Sequence, residues 1–179
     1  DTLSSTFVVP LYEGKAMATR DILHVKMSLS DGCKMDFIVN HHPSKFGGED
    51  ASEGRRNAAM AALKELCDSI GSVNVVAMGD FNDSPEGAAF QLIDNSLVNK
   101  GMELHRKGEG TIRFEGKWEL IDMFLTGPGV DAEMEICRMP FHIVRERKHP
   151  GEKPFRTYSG PRYIGGISDH FPIVLKIFH

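Results

Sequence analysis

Val75-Val76-Ala77-Met78-Gly79-Asp80-Phe81-Asn82-Asp83 opens as an apolar run and closes as a cluster of carboxylates around one amide. A short apolar run ended by glycine reads as a buried strand, here one that delivers Asp80 and Asn82 at its tip. Residues two apart in extended backbone share a side, so Asp80 and Asn82 face one way and Phe81 the other. Asn82-Asp83-Ser84-Pro85 is also good turn chemistry, so the pair reads either as a site or as the strand's exit turn. Three further stretches repeat the layout: Phe37-Ile38-Val39-Asn40-His41-His42-Pro43, Leu120-Ile121-Asp122-Met123-Phe124-Leu125 and Gly165-Gly166-Ile167-Ser168-Asp169-His170-Phe171-Pro172. Polar groups held at the ends of sheet strands are where sites are built.

Outward from these stretches, residues 21–29 alternate with period two. Ser30-Asp31-Gly32 then predicts a hairpin into a return strand over 33–40. A Gly- and Ser-rich, charged stretch over 43–54 leads to a helix over 55–70, with Ala59, Leu63, Leu66 and Ile70 on its apolar face and Gly71 as its C-cap. A short helix is expected over 87–93, a loop or irregular hairpin over 101–117, and strands over 118–125 and 133–138. Residues 145–163 read as one long loop, and 172–178 as a strand buried largely on both faces. Hairpins beside helix crossovers, with no repeat and no linker, favour a layered α/β sandwich forming one domain over 1–179.

Composition sets the outer limits. The 179 residues are 41% hydrophobic and 26% charged, ordinary for a folded domain, and the formal net charge of −4 excludes a generally polycationic nucleic-acid binder. Three cysteines without CxxC spacing exclude a zinc ribbon. No apolar run reaches the ~18 residues a membrane-spanning helix needs. GxxxxGK[ST], GxGxxG and HExxH are all missing.

The polar clusters are therefore Asp, Asn and His with little sulfur. His41 and His42 are adjacent, point to opposite faces and cannot serve one site. Asp122 sits inside an apolar run, where a carboxylate must be paired, with His or Arg as the expected partner, whether its role is structural or chemical. Asp169-His170 follows two glycines that permit close backbone approach to a ligand, and reads otherwise as a turn Asp beside an incidental His. Hard oxygen donors suit Mg²⁺ or Mn²⁺, and histidines near carboxylates suit proton transfer at neutral pH. Together they suggest metal-assisted displacement at phosphorus. Residues 145–163 hold six Lys or Arg against two Glu, a local positive surplus suited to a phosphate ester.

In sequence order, Val39-Asn40-His41-His42-Pro43-Ser44, Met78-Gly79-Asp80-Phe81-Asn82-Asp83, Leu120-Ile121-Asp122-Met123-Phe124-Leu125 and Ser168-Asp169-His170-Phe171-Pro172 resemble the endonuclease/exonuclease/phosphatase superfamily, the deoxyribonuclease I-like enzymes. Phe155-Arg156-Thr157-Tyr158 resembles a bacterial branch of it. The resemblance implies a four-layer αββα sandwich and a Mg²⁺- or Mn²⁺-dependent phosphoesterase, possible nuclease activity included. It implies that Asp80 orients or deprotonates the attacking water and that Asn82 helps to hold water, phosphate and metal. It implies Asp169 as a metal ligand beside Asp80, His170 on the phosphate and coupled to Asp122, and His41 as a second phosphate or proton-transfer histidine. Arg20 resembles a family arginine near the phosphate. The substrate class stays open among nucleic acid, phospholipid headgroup and small phosphate ester, in a soluble protein, cytoplasmic or exported. The family's upstream Asn and Gln-Glu pair have no counterpart in residues 1–40, so the resemblance covers the family's C-terminal two-thirds. It implies a partner segment upstream of Asp1 that completes the metal site, and as its alternative a catalytically incomplete fragment or phosphate-binding module.

Overall fold

A computed structural model describes residues 1–45, 48–93 and 96–178, the side chains of 49–51 apart. In chain order it forms β1 (Thr2–Val8), β2 (Leu11–Tyr12), β3 (Lys15–Ala16), β4 (Ile22–Ser28), β5 (Lys34–His41), α1 (Glu49–Ile70) and β6 (Val75–Asp80). There follow β7 (Val98–Asn99), α2 (Met102–Arg106), β8 (Ile112–Phe114), β9 (Lys117–Glu119), β10 (Asp122–Thr126) and β11 (Ala132–Ile136). The chain closes through β12 (Ile143–Arg145), β13 (Glu152–Pro154), β14 (Tyr158–Ser159), β15 (Arg162–Tyr163) and β16 (Ile173–Ile177). Single 3₁₀ turns occupy Ala88–Leu92 and Pro140–His142.

Six strands pair in the order β1-β4-β5-β6-β10-β7, and β11 pairs with β16 in a separate ladder. The β4–β5 hairpin forms where Asp-Gly predicts it. Gly32 takes φ 83° and the Asp31 carboxylate accepts the Cys33 N–H at 2.9 Å. Among the described residues only β5 and β6 run parallel, and α1 supplies the crossover that a parallel pair requires. One face of the sheet carries Ile22, Ile38, Val75 and Ala77 into a buried cluster with Met60, Leu63 and Cys67 of α1. On the opposite face, register aligns Phe7, Leu23, Val39, Met78 and Phe124 in one row across five strands. Ile173 and Leu175 of β16 pack at the Phe124 end of that face, while Phe7 (67%) and Val39 (41%) are exposed. The result is a sheet-dominated α+β fold, as a sandwich requires.

Several elements differ from their sequence reading. The helix begins at Glu49, not at 55, and within its first turns the Ser52 hydroxyl donates to the Gly48 carbonyl at 2.8 Å. Of the 43–54 stretch, residues 46 and 47 lie outside the described residues. Gly54, a residue that argues against helix, sits where an added Cβ would come within 2.9 Å of the Tyr12 hydroxyl. The 101–117 loop contains α2 and β8, the 118–125 strand divides at Leu120-Ile121 into β9 and β10, and the 145–163 loop contains three short strands. β16 is not buried on both faces: Ile173, Leu175 and Ile177 turn to the core, whereas Val174 is 42% exposed. β1, which the reading passed over, is an exposed edge strand. Among the described residues the three cysteines are free, and no helix is long and apolar enough to cross a membrane.

Candidate active site

Register builds the site. β5 and β6 run parallel and end together, pairing His41 with Asp80, and β10 starts beside that end, pairing Asp122 with Asp80. Three adjacent strands thus set His41, Asp80 and Asp122 in one row on the face that also carries Val39, Met78 and Phe124. His41 Nε2 lies 3.6 Å from Asp80 Oδ2. His42, one residue on, turns away and is 1% exposed against the ring of Phe81. The two histidines therefore part as strand geometry requires.

After β6 the chain turns sharply. Asn82 takes φ 52°, its backbone N–H donates to Asp80 Oδ1 at 2.8 Å, and its Nδ2 donates to Asp80 Oδ2 at 3.2 Å and to the His42 carbonyl at 2.9 Å. Asp80 is thus fixed by the residue two ahead, while Phe81 is fully buried. Gly79 is required here. Its φ is 132°, and a Cβ would fall 2.0 Å from the Asn40 carbonyl oxygen.

His170 arrives on the turn before β16 and presents Nδ1 to Asp122 Oδ2 at 2.8 Å. The same oxygen accepts the Thr111 hydroxyl at 2.5 Å. Asp80, Asp122 and His170 offer ligand atoms within 4.8 Å of one another, a group able to hold a metal ion. Asp169 stands apart: its half-exposed carboxylate lies 3.5 Å from Arg156. Of the two glycines before it, Gly166 approaches the protein's own backbone, where a Cβ would meet the Phe155 and Arg156 carbonyls at 2.1 and 2.2 Å, whereas Gly165 supplies a positive φ of 80° in open space. Arg20, in the segment between β3 and β4, is exposed, and its charge reaches both His41 and Asp80.

The electrostatics divide these groups. Burial first, and then the negative charge of Asp122, push Asp80 up to about 6. Burial opposes a charged His170, but its hydrogen bond to Asp122 and the charges of Asp122, Asp80 and Asp169 prevail, so its pKa lies above the ordinary value. His41 moves the other way, lowered by burial and then by Arg20 and His170. One histidine favours its charged form, the other its neutral form. Such separation of neighbouring titratable groups is characteristic of acid–base sites.

Residues that the motifs do not mark hold this arrangement. Phe171 stacks on Trp118 at 5.5 Å and meets the buried His142 edge-on at 5.4 Å. His142 Nε2 bonds the Ser168 carbonyl at 3.0 Å, and the Phe171 N–H donates to the Thr111 carbonyl at 2.8 Å. Arg138 lies over Trp118 at 4.8 Å. Thr111 escapes the sequence reading because it sits in an aperiodic stretch and reaches Asp122 only through the β8–β9 hairpin. A cavity of about 400 Å³ adjoins the pair, walled by Met78, Phe124, His142 and Ile173.

With this geometry in view, the sequence profile of the Endonuclease/Exonuclease/phosphatase family matches residues 2–179. The chain belongs to this family. No curated protein sequence matches it significantly. Solved structures of the family fold superpose well. The human Nocturnin catalytic domain with bound sulfate matches at TM-score 0.63 and 14% identity, over 99% of this chain and 60% of that one. The mannosyl-6-phosphatase of Bacteroides thetaiotaomicron matches at 0.65 and 15%, over 100% and 67%. Sphingomyelinase C from Streptomyces griseocarneus matches at 0.61 and 12%, over 99% and 65%. At these identities the likeness establishes the fold of the family. The chain spans 60–67% of the length of these three structures.

Proposed function

We propose that the protein containing this chain is a divalent-metal-dependent hydrolase of phosphate esters. The observation that carries this reading is the row of His41, Asp80 and Asp122 on three adjacent strands, closed by His170 at 2.8 Å from Asp122. Asp80, oriented by Asn82, accepts a proton from the attacking water as its oxygen bonds to phosphorus. The ester P–O bond breaks on the far side, and the leaving oxygen departs to be protonated as an alcohol. His170, kept charged by Asp122, donates its Nε2 proton in a hydrogen bond to a non-bridging phosphate oxygen. His41 and Arg20 face the same group from the Asp80 side, and Asn82 contributes its amide. A neighbour of this fold binds sulfate, an anion of phosphate's shape.

The residues fit Mg²⁺ or Mn²⁺. Burial, and after it the negative charge of Asp122, pushes Asp80 up to about 6, and a divalent cation would relieve the Asp122 part of that opposition. Asp80 and Asp122 would hold the ion with the Asn82 amide oxygen, and Asp169, paired with Arg156, would join them on releasing that arginine. The Arg156–Asp169 pair is half-exposed, and such pairs contribute little. Bound there, the ion would supply charge neutralisation at the phosphate oxygens.

That same Arg156–Asp169 pair favours a second reading, in which the chain binds a phosphate ligand without cleaving it. Turnover separates the two. The full-length protein is expected to hydrolyse a generic phosphate ester with Mg²⁺ or Mn²⁺, and Asp80→Ala and His170→Ala each to lower kcat by about 10²–10⁴-fold. Calorimetric phosphate binding without turnover would support the second reading, and unchanged rates in both variants would exclude the first.

A further inference from the structure

We propose that the cavity beneath the β2–β3 hairpin is a second anion-binding subsite, and that the substrate therefore carries a phosphate or carboxylate group besides the one that reacts. This rests on the phosphoesterase reading for the identity of the first group. The cavity, about 460 Å³, is lined by Tyr12, Lys15, Thr19, Arg20, Ser44 and Arg55 among others. That volume is ordinary for a small-molecule site.

Charge is the main argument. Lys15, Arg20 and Arg55 line one concavity. Among the described residues, none of the three has a carboxylate within ion-pair distance. Glu13, at the hairpin tip, is the acidic residue of the lining. Three cations against the one carboxylate of Glu13 give the described lining a positive surplus that attracts anions, in a chain whose net charge is −4. The Thr19 hydroxyl adds a buried donor with no partner among the described residues. A hydroxyl in that state gains a bond when a ligand oxygen arrives.

The cavity is also built, not a gap between loops. Glu13 (φ 50°) and Gly14 (φ 74°) make the tight turn that folds β2 onto β3, pairing Tyr12 with Lys15. The Tyr12 ring approaches α1 over Gly54, where any Cβ would meet its hydroxyl at 2.9 Å. This fixes the hairpin wall against the helix that carries Arg55. The catalytic row adjoins it on two counts. Arg20 belongs to the lining, and its charge is felt at His41 and Asp80; Pro43 and Ser44, also in the lining, directly follow His41-His42. A molecule with one phosphate on the row places its next substituents towards Lys15 and Arg55.

The test compares ligands that differ only in the second phosphate. Two pairs cover the two sources of such chemistry: adenosine 5′-monophosphate against adenosine 3′,5′-bisphosphate, and glucose 6-phosphate against glucose 1,6-bisphosphate. Calorimetric affinities are measured for the full-length protein and for the Lys15→Ala/Arg55→Ala double variant, whose exposed side chains have no ion-pair partner among the described residues. In at least one pair the bisphosphate should bind tenfold or more tightly than the monophosphate. The double variant should lose that preference while keeping its monophosphate affinity. Equal affinities within both pairs, or a preference that survives in the double variant, overturns the subsite. Turnover is read separately with 4-nitrophenyl phosphate, so failure of the hydrolase reading is distinguishable from failure of the subsite.

Discussion

Replacing His42 with phenylalanine tests the strand geometry on which the site depends. His42 is 1% exposed, its ring stands edge-on to Phe81 at 5.0 Å, and among the described residues neither ring nitrogen has a hydrogen-bond partner. Burial, then the charges of His41 and Arg56, lower its pKa from 6.5 to about 3. Between those values the unfolded chain protonates His42 and the folded chain does not. Its contribution to stability is therefore complete above pH 6.5 and is lost on acidification at about 1.4 kcal/mol per pH unit. Asp80 acts in the opposite sense. Its pKa rises from 3.8 to about 6, so its contribution is complete below pH 3.8 and is lost as pH rises through 6. The two slopes largely cancel between pH 4 and 6 in the wild type. His42→Phe removes the slope from His42 and leaves those of the other groups in place, so the variant should gain stability relative to wild type as pH falls. Urea unfolding at pH 6.5, 5.5 and 4.5 should show the difference changing by about 1 kcal/mol per unit, or about 2 kcal/mol across the range. A difference independent of pH would mean that His42 is solvated or paired, and would refute the reasoning.

Gly79→Ala should destabilise by about 2–4 kcal/mol in the same unfolding assay, because φ 132° and a 2.0 Å approach to the Asn40 carbonyl leave no room for a Cβ. Thr111→Val removes the 2.5 Å hydrogen bond to Asp122 without touching the phosphate position. It should cost about 1 kcal/mol of stability and displace the pH at which His170 titrates, read by NMR of its ring protons, whereas a purely structural threonine would leave that titration in place. Leu63→Ala, at a fully buried position of α1 in the central cluster, should lower stability by about 2–5 kcal/mol with the His170 titration unmoved.

Much of the site is legible in the sequence because strand chemistry is local. Alternation and the Asp-Gly turn place β4 and β5, the period-two rule separates His41 from His42, and the apolar run around Asp122 demands the partner that His170 becomes. The supporting residues are not legible for the opposite reason. Thr111 and His142 lie in stretches without periodicity and Trp118 at the very start of a strand pattern, and their roles arise only when the β8–β9 hairpin and the 3₁₀ turn at Pro140–His142 are brought against Phe171. The two glycines before Asp169 invite a reading of close approach, and the approach is real at Gly166 but made to the Phe155–Arg156 backbone. The early start of α1 is hidden by Gly54, whose missing side chain serves Tyr12 across the interface. β1 escapes because an exposed edge strand carries no alternation of burial to recognise.

The central claim is that Asp80 directs a water molecule onto phosphorus. Hydrolysis of 4-nitrophenyl phosphate by the full-length protein in ¹⁸O-labelled water, with Mg²⁺, measures this directly by mass spectrometry of both products. The account predicts one ¹⁸O in the released phosphate, none in the nitrophenol, and loss of at least 100-fold in rate for Asp80→Asn. Label in the nitrophenol, or an Asp80→Asn variant as fast as wild type, would contradict it.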